Sequence, residues 1–203
     1  MTGTSPNGHV TRSPALYLYI LDPRENRRLN TSLMSESQFD TLNFNETFKK
    51  TDSLGRAALF LASWFFTGLM PKAPGTVGTL AAIPIALAIH FLGAVKGGVC
   101  LLCLISVAVL TSDLSRKLLG RRDPSEIVID EVAGFSVALF LLSPSWLNLI
   151  LGFLLFRLFD ISKPFPIKRL ERVKGGFGIV LDDLFAGIYV NLALRMILLF
   201  VAE

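Results

Sequence analysis

The sequence predicts an all-α membrane protein of about five to six apolar helices, and three observations carry that prediction. Long apolar runs fill the chain from Ala57 onward, at residues 57–70, 79–95, 97–111, 127–142, 146–161 and 184–202. No stretch of useful length alternates polar and apolar residues with the period of two that a half-buried strand needs. Charge is scarce: 52% of the 203 residues are hydrophobic and 18% are charged, with 16 Phe and a mean hydropathy of +0.56. Ordinary soluble domains carry about 25% charged residues.

Residues 1–55 precede the first run and differ from it. They are polar, with six basic and six acidic side chains. Their one apolar patch, "ALYLYI", is too short for the apolar part of a secretory leader. The expectation is a weakly structured extension over 1–55, followed by a helical membrane domain over 56–203. Met34 is an alternative start, because none of the patterns below begins before it.

The first run, 57–70, is too short for the roughly 20 residues a standard span requires. It is flanked by Lys49, Lys50 and Arg56, and is expected to lie at the membrane interface or to re-enter. The second and third runs form a hairpin with a short link near Lys96. The fourth and fifth form another across 143–146. Arg116, Lys117, Arg121 and Arg122 follow the third run, and Lys163, Lys168, Arg169, Arg172 and Lys174 follow the fifth. By the positive-inside rule these two clusters face the cytoplasm, and the last run leaves it again. The net charge of +4 lies wholly in residues 56–203, which hold fourteen basic and ten acidic side chains. A basic surface on an apolar body suits anionic lipid. No nucleic-acid motif is present, so the expected partners are a membrane and a phospholipid. Cys100 and Cys103 form a C-x-x-C, but their aliphatic flanks and the lack of a second pair mark them as small core or lipid-facing side chains. His90 has no second ligand in its helix.

With this orientation the acidic residues meet. Asp130 and Glu131 open the fourth run, Asp160 closes the fifth, and Asp182 and Asp183 precede the last. Singly, each has a structural role open to it. A first-turn carboxylate complements the helix dipole, and Asp160 is one turn from both Arg157 and Lys163. Together they are costly in an apolar setting unless they serve function. Clustered carboxylates without histidine suit a hard cation, Mg²⁺ first, shared with phosphate oxygens. Arg157, Lys163 and Arg169 flank the same level as anion partners. "KGGFG", with Gly175 and Gly176, offers backbone N–H groups before a helix, either as an anion cradle or as a simple turn. In "PGTVGTL", Thr76 and Thr79 either bind phosphate or cap the helix. The chemistry that this set suits is metal-assisted attack of water on a phosphate ester. An ion transporter using the same acids is the alternative, although the far halves of the helices are almost purely aliphatic. A CDP-alcohol transferase is excluded by its missing signature.

Three stretches, "PGTVGTLAAIPIAL", "IVIDEVAGF" and "FRLFDISKPFPIKRLERVKGGFGIVLDDLFAGI", closely resemble the phosphatidylglycerophosphatase A family over about residues 56–200. The third holds an F-R-x-x-D-x-x-K-P-x-P element (Phe156, Arg157, Asp160, Lys163, Pro164, Pro166) and a G-G-x-G-x-x-x-D-D element (Gly175, Gly176, Gly178, Asp182, Asp183). The resemblance implies a Mg²⁺-dependent phosphatase of the bacterial inner membrane, with its site on the cytoplasmic side, converting phosphatidylglycerophosphate to phosphatidylglycerol and phosphate. Asp130, Glu131, Asp160, Asp182 and Asp183 would bind metal and activate water, with the general base unassigned among them. Arg157 would hold phosphate oxygens, and Lys163 would neutralise charge as the ester breaks.

Overall fold

The computed structural model describes residues 36–165, 167–170 and 173–201. Residues from Asp40 onward belong to one compact unit. Every regular element among the described residues is helical.

α1 (Glu36–Lys50) and α2 (Ser53–Ala62) come first. The last part of the stretch expected as an extension over 1–55 is thus helical. The reason is a small apolar cluster in which Phe44, 1% exposed, packs with Leu59 and Leu119, and Phe48 covers it. Asp52 starts α2 by accepting a hydrogen bond from the Gly55 N–H at 2.9 Å, a standard N-cap. Residues 1–35, and with them the alternative start at Met34, lie outside the described residues.

The first apolar run is not a single helix. α2 has 10 residues, about 15 Å of rise, and then reverses. Trp64, Phe65 and Phe66 all take left-handed backbone conformations, with φ of 44°, 57° and 66°. Such a turn is costly for non-glycine residues. It is held by Ser63, whose hydroxyl accepts from the Phe66 N–H at 3.2 Å, and by the Trp64 indole, which donates to the Ala81 carbonyl at 3.2 Å.

α3 (Pro74–Ala81) and α4 (Ile83–Phe91) form the second run, each with proline in its first turn. α5 (Gly93–Leu119) is the longest helix and stops at Gly120, whose φ of 66° suits a residue without Cβ. α6 (Ile129–Leu139), α7 (Trp146–Ser162), the single turn α8 (Ile167–Leu170) and α9 (Gly176–Val201) complete the chain. Among the described residues, three stretches are long and apolar enough to cross a membrane: Pro74–Phe91, Gly93–Leu119 and Gly176–Phe200. α5, α7 and α9 turn rows of large apolar side chains outward, including Leu102, Leu110, Ile150, Leu154, Leu158, Leu192 and Met196. Apolar rows of that extent need lipid rather than water around them. The protein is a membrane protein.

α6 is the centre of the fold. Ile129, Val132, Ala133, Phe135 and Ala138 are wholly buried. The run 127–142 reads as one long helix, but the helix has 11 residues and ends inside the bundle, where Leu141 turns left-handed. Its open carbonyls are met by α9. The Asn191 side-chain amide donates to the carbonyls of Val137, Ala138 and Phe140 at 3.1, 3.0 and 2.9 Å. Arg195 donates to the Asn191 side-chain oxygen at 2.8 Å and so orients the amide. A helix end in an apolar setting needs such donors.

α6 and α9 also cross very closely. A Cβ on Gly134 would lie 2.5 Å from the Asp183 carbonyl oxygen, and one on Gly187 would strike the Gly134 carbonyl. These glycines stand one helical turn beyond Asp130 and Asp183. They allow the backbone approach that brings the two carboxylates together.

Candidate active site

The starts of α3, α6 and α9, the end of α7 and the loop 122–125 enclose one cleft of about 790 Å³. Each segment delivers its side chains for a local reason. Arg157, Asp160 and Lys163 are spaced by three and share one face of α7. Lys163 ends that helix with a φ of 43°, its N–H returning to the Phe159 carbonyl at 2.8 Å, and Pro164 prevents continuation. Asp130 and Glu131 occupy the first turn of α6, where the helix dipole favours negative charge.

Within the cleft the acids divide into two sets. Oxygens of Asp130, Glu131 and Asp183 lie within 4.8 Å of one another. Asp130 and Asp183 are 8% and 4% exposed. Glu131 Oε2 and Asp183 Oδ1 are buried and have no hydrogen-bond partner. Asp160 and Asp182 lie beside this triad and are each ion-paired. Arg157 Nη1 is 2.7 Å from Asp160 Oδ2 and 4.0 Å from Glu131 Oε1. Lys163 Nζ is 2.8 Å from Asp182 Oδ2. All five acids expected as one ligand set line the cleft; three of them form the tightest group, and the other two also pair with cations.

Six carboxylates and four cations line the cleft, leaving negative charge in excess. Carboxylates held this close with buried, unpartnered oxygens repel one another unless a cation is placed among them. An oxygen-only donor set of this kind fits a hard divalent ion.

The expected phosphate ligands are placed unevenly. Arg157 and Lys163 line the cleft beside the triad, and Gly175 lines it as well. Gly176 does not; its N–H donates to Asp113 Oδ1 at 2.9 Å, so this part of the glycine cradle is filled from within the chain. Arg169 points elsewhere and lies over the Phe165 ring at 4.8 Å. Thr79 is fully buried and donates to the Gly75 carbonyl at 2.7 Å, a contact inside its own helix. Thr76 does not line the cleft. The same loop contributes Gly75 instead: a Cβ there would strike Glu131 Oε1 and come within 3.1 Å of Arg157 Nη1. Lys168 and the charged loop carrying Arg122, Asp123 and Ser125 also line the cleft. "GRRDPSE", a cluster of charge between two apolar runs, is the signal that marks that loop. From the sequence it serves only to orient the helices.

Residues 60–198 match the phosphatidylglycerophosphatase A family. Phosphatidylglycerophosphatase A of Escherichia coli (strain K12) is 38% identical over 130 residues, covering 63% of this chain and 76% of that protein. Phosphatidylglycerophosphatase A of Haemophilus influenzae is 38% identical over 149 residues, covering 71% and 90%. No solved structure matches the chain. The family match takes in every side chain of the triad and both of its neighbouring ion pairs, and the chain belongs to the phosphatidylglycerophosphatase A family.

Proposed function

We propose that the chain, a phosphatidylglycerophosphatase by family, removes the terminal phosphate of phosphatidylglycerophosphate at the cytoplasmic face of a bacterial inner membrane, by metal-assisted attack of water. The observation that carries the mechanism is the triad of Asp130, Glu131 and Asp183, with two buried, unpartnered oxygens beside two cations.

Asp130, Glu131 and Asp183 would hold Mg²⁺. Bound there, it would supply positive charge to the phosphate and lower the pKa of a water. Arg157 donates to the non-bridging oxygens and, held by Asp160, keeps an N–H edge of its planar guanidinium toward them. Lys163, held by Asp182, faces the oxygen that leaves as the P–O bond breaks. A cleft carboxylate takes one proton of the attacking water and returns it to the oxygen of the lipid alcohol as that departs, the other proton staying on the phosphate. Positioning and charge stabilisation do most of this work, as is usual for phosphoryl transfer. Asp160 and Asp182 are thus assigned to orienting cations, with the triad as ligands. The transporter alternative is not favoured by the family relation.

In the membrane, Pro74–Phe91, Gly93–Leu119 and Gly176–Phe200 would cross fully. α7, with its lipid-facing row, would cross with its polar end at the cytoplasmic surface. α6 would enter from that surface and end within the bundle, and α2 would lie at the interface. The basic clusters on the cleft side support this orientation.

The direct test is phosphate release by purified protein in mixed micelles, from phosphatidylglycerophosphate, phosphatidate and glycerol 3-phosphate, with Mg²⁺ or chelator. Mg²⁺-dependent release that favours phosphatidylglycerophosphate is expected. Full turnover in chelator would remove the metal from the mechanism.

Residues 1–35 are proposed to be dispensable for chemistry, because the site is built from residue 73 onward. A chain begun at Met34 should keep full specific activity and thermal stability. One begun at Thr51 loses Phe44 from its buried cluster. It should unfold at lower temperature, by an amount matching the loss of a core aromatic, about 3 kcal/mol. Equal stability of the two truncations would show that α1 contributes nothing.

A further inference from the structure

The glycine turn before α9 is joined to α5 by a single carboxylate. Asp113 Oδ1 accepts from Arg116 Nε at 2.9 Å, from Arg116 Nη2 at 2.7 Å and from the Gly176 backbone N–H at 2.9 Å. Its Oδ2 lies 2.6 Å from Lys117 Nζ. The fit is close on the other side as well. A Cβ on Gly176 would strike the Val109 carbonyl and lie 2.5 Å from the Asp113 nitrogen and 2.6 Å from its Cβ. Gly175 has a φ of 94°, which an L side chain rarely adopts. The turn is therefore shaped to admit the α5 backbone, with a carboxylate against its N–H. An N–H at a helix start attracts an anion, and here the chain supplies its own.

The position of this joint gives it a consequence. α9 begins at Gly176 and presents Asp182 and Asp183 within its next two turns. The height and rotation of that start set where both carboxylates fall relative to Asp130 and Glu131 on α6. The glycine crossing at Gly134 and Gly187 fixes how near the helices come. The Asn191 amide fixes α9 against the far end of α6, beyond the smooth glycine crossing, so the start of α9 takes its register from a directional contact of its own. Asp113 supplies it, using a charge-assisted bond from a side chain that two cations already hold in place.

We infer that Asp113 is a positioning residue of the active site: its carboxylate occupies the glycine cradle at the start of α9 and fixes the helix that presents Asp182 and Asp183. This rests on the reading that those two residues serve phosphate hydrolysis. Asp113 itself does not line the cleft.

The experiment compares the wild-type chain with Asp113→Ala and Asp113→Asn in detergent. It measures backbone amide exchange over residues 174–184 by mass spectrometry, and kcat and KM for phosphatidylglycerophosphate at saturating Mg²⁺. Asp113→Ala should lose protection at the start of α9, with kcat falling by about tenfold or more and KM within about twofold, as for a misplaced catalytic group. Asp113→Asn keeps an acceptor for the Gly176 N–H and should restore most of the protection and the rate. Should Asp113→Ala not accumulate, Asp113→Leu, close in shape to Asp113→Asn but with no acceptor for that N–H, takes its place with the same expected result. Unchanged exchange in both would show that Asp113 does not hold the turn. Lost protection with a wild-type kcat would show that the joint does not position the site. Either result overturns the inference. A wild-type chain that releases no phosphate fails the functional reading instead, and leaves the exchange result to judge the joint alone.

Discussion

Asp183→Asn should lower kcat by about 10²–10³-fold or more, while leaving the apo protein as stable as wild type or slightly more so. The two effects have one cause. Asp183 is 4% exposed, its Oδ1 has no hydrogen-bond partner, and it shares a space within 4.8 Å with Asp130 and Glu131. Three crowded carboxylates, two of them buried, repel, so replacing one by an amide of the same shape relieves the folded state before metal binds. After metal binds, the same change removes a ligand charge that the reaction needs. Thermal unfolding with and without Mg²⁺ separates these states. Wild type should gain stability from Mg²⁺ through binding to the native state alone, and Asp183→Asn should gain little. A variant with near-normal turnover and a normal Mg²⁺ shift would remove Asp183 from the ligand set.

Gly134→Ala should destabilise the protein and lower kcat together, against the usual trend for helices. On an isolated helix, alanine is favoured over glycine by about 1 kcal/mol. At Gly134 the added Cβ meets the Asp183 carbonyl oxygen at 2.5 Å, its carbon at 2.8 Å and the Asp183 Cβ at 2.9 Å. Two of these atoms are backbone, so no rotamer change relieves the contact and α9 must move. Overpacking of this kind costs about 1–3 kcal/mol. Displacing Asp183 by a fraction of an ångström or more separates the triad, and kcat should fall by up to about 10²-fold. Unfolding temperature and turnover on one preparation decide the matter. A stabilised, fully active Gly134→Ala would mean that the α6–α9 approach is looser than the structure has it.

What the sequence discloses follows from the range of the interactions concerned. The helical class and the clustering of acids at one level are legible, because apolar runs and basic flanks are local patterns. The division of those acids is not. Asp160 pairs with Arg157 three residues away, which the spacing allows, but Lys163 pairs with Asp182 across 19 residues. Only the packing of α7 on α9 decides that pairing. α6 was hidden for a related reason. No charged residue, glycine or proline after Gly134 marks an end before Leu142, and the helix ends where Asn191 and Arg195, some 50 residues later, meet its carbonyls. Gly75 and Gly134 read as weak points in helices, and their value lies in what a Cβ would strike. The glycine stretch can be read from the sequence as an anion cradle or as a simple turn, and the carboxylate that meets it, Asp113, lies 63 residues upstream. Thr79 shows the converse: its hydroxyl is bonded within its own helix turn.

The central claim is that Asp130, Glu131 and Asp183 form the metal site, with Asp160 serving Arg157. Binding of Mn²⁺ as a paramagnetic stand-in for Mg²⁺, followed by electron paramagnetic resonance in detergent, tests it without reference to turnover. Wild type and Asp160→Asn should both bind the ion with similar affinity, the latter losing activity through a misdirected Arg157. The double variant Asp130→Asn with Asp183→Asn should lose binding by at least about 10²-fold, as expected when two charged ligands are removed from one site. Loss of binding in Asp160→Asn, with binding kept in the double variant, would contradict the account and place the ion at the end of α7 instead.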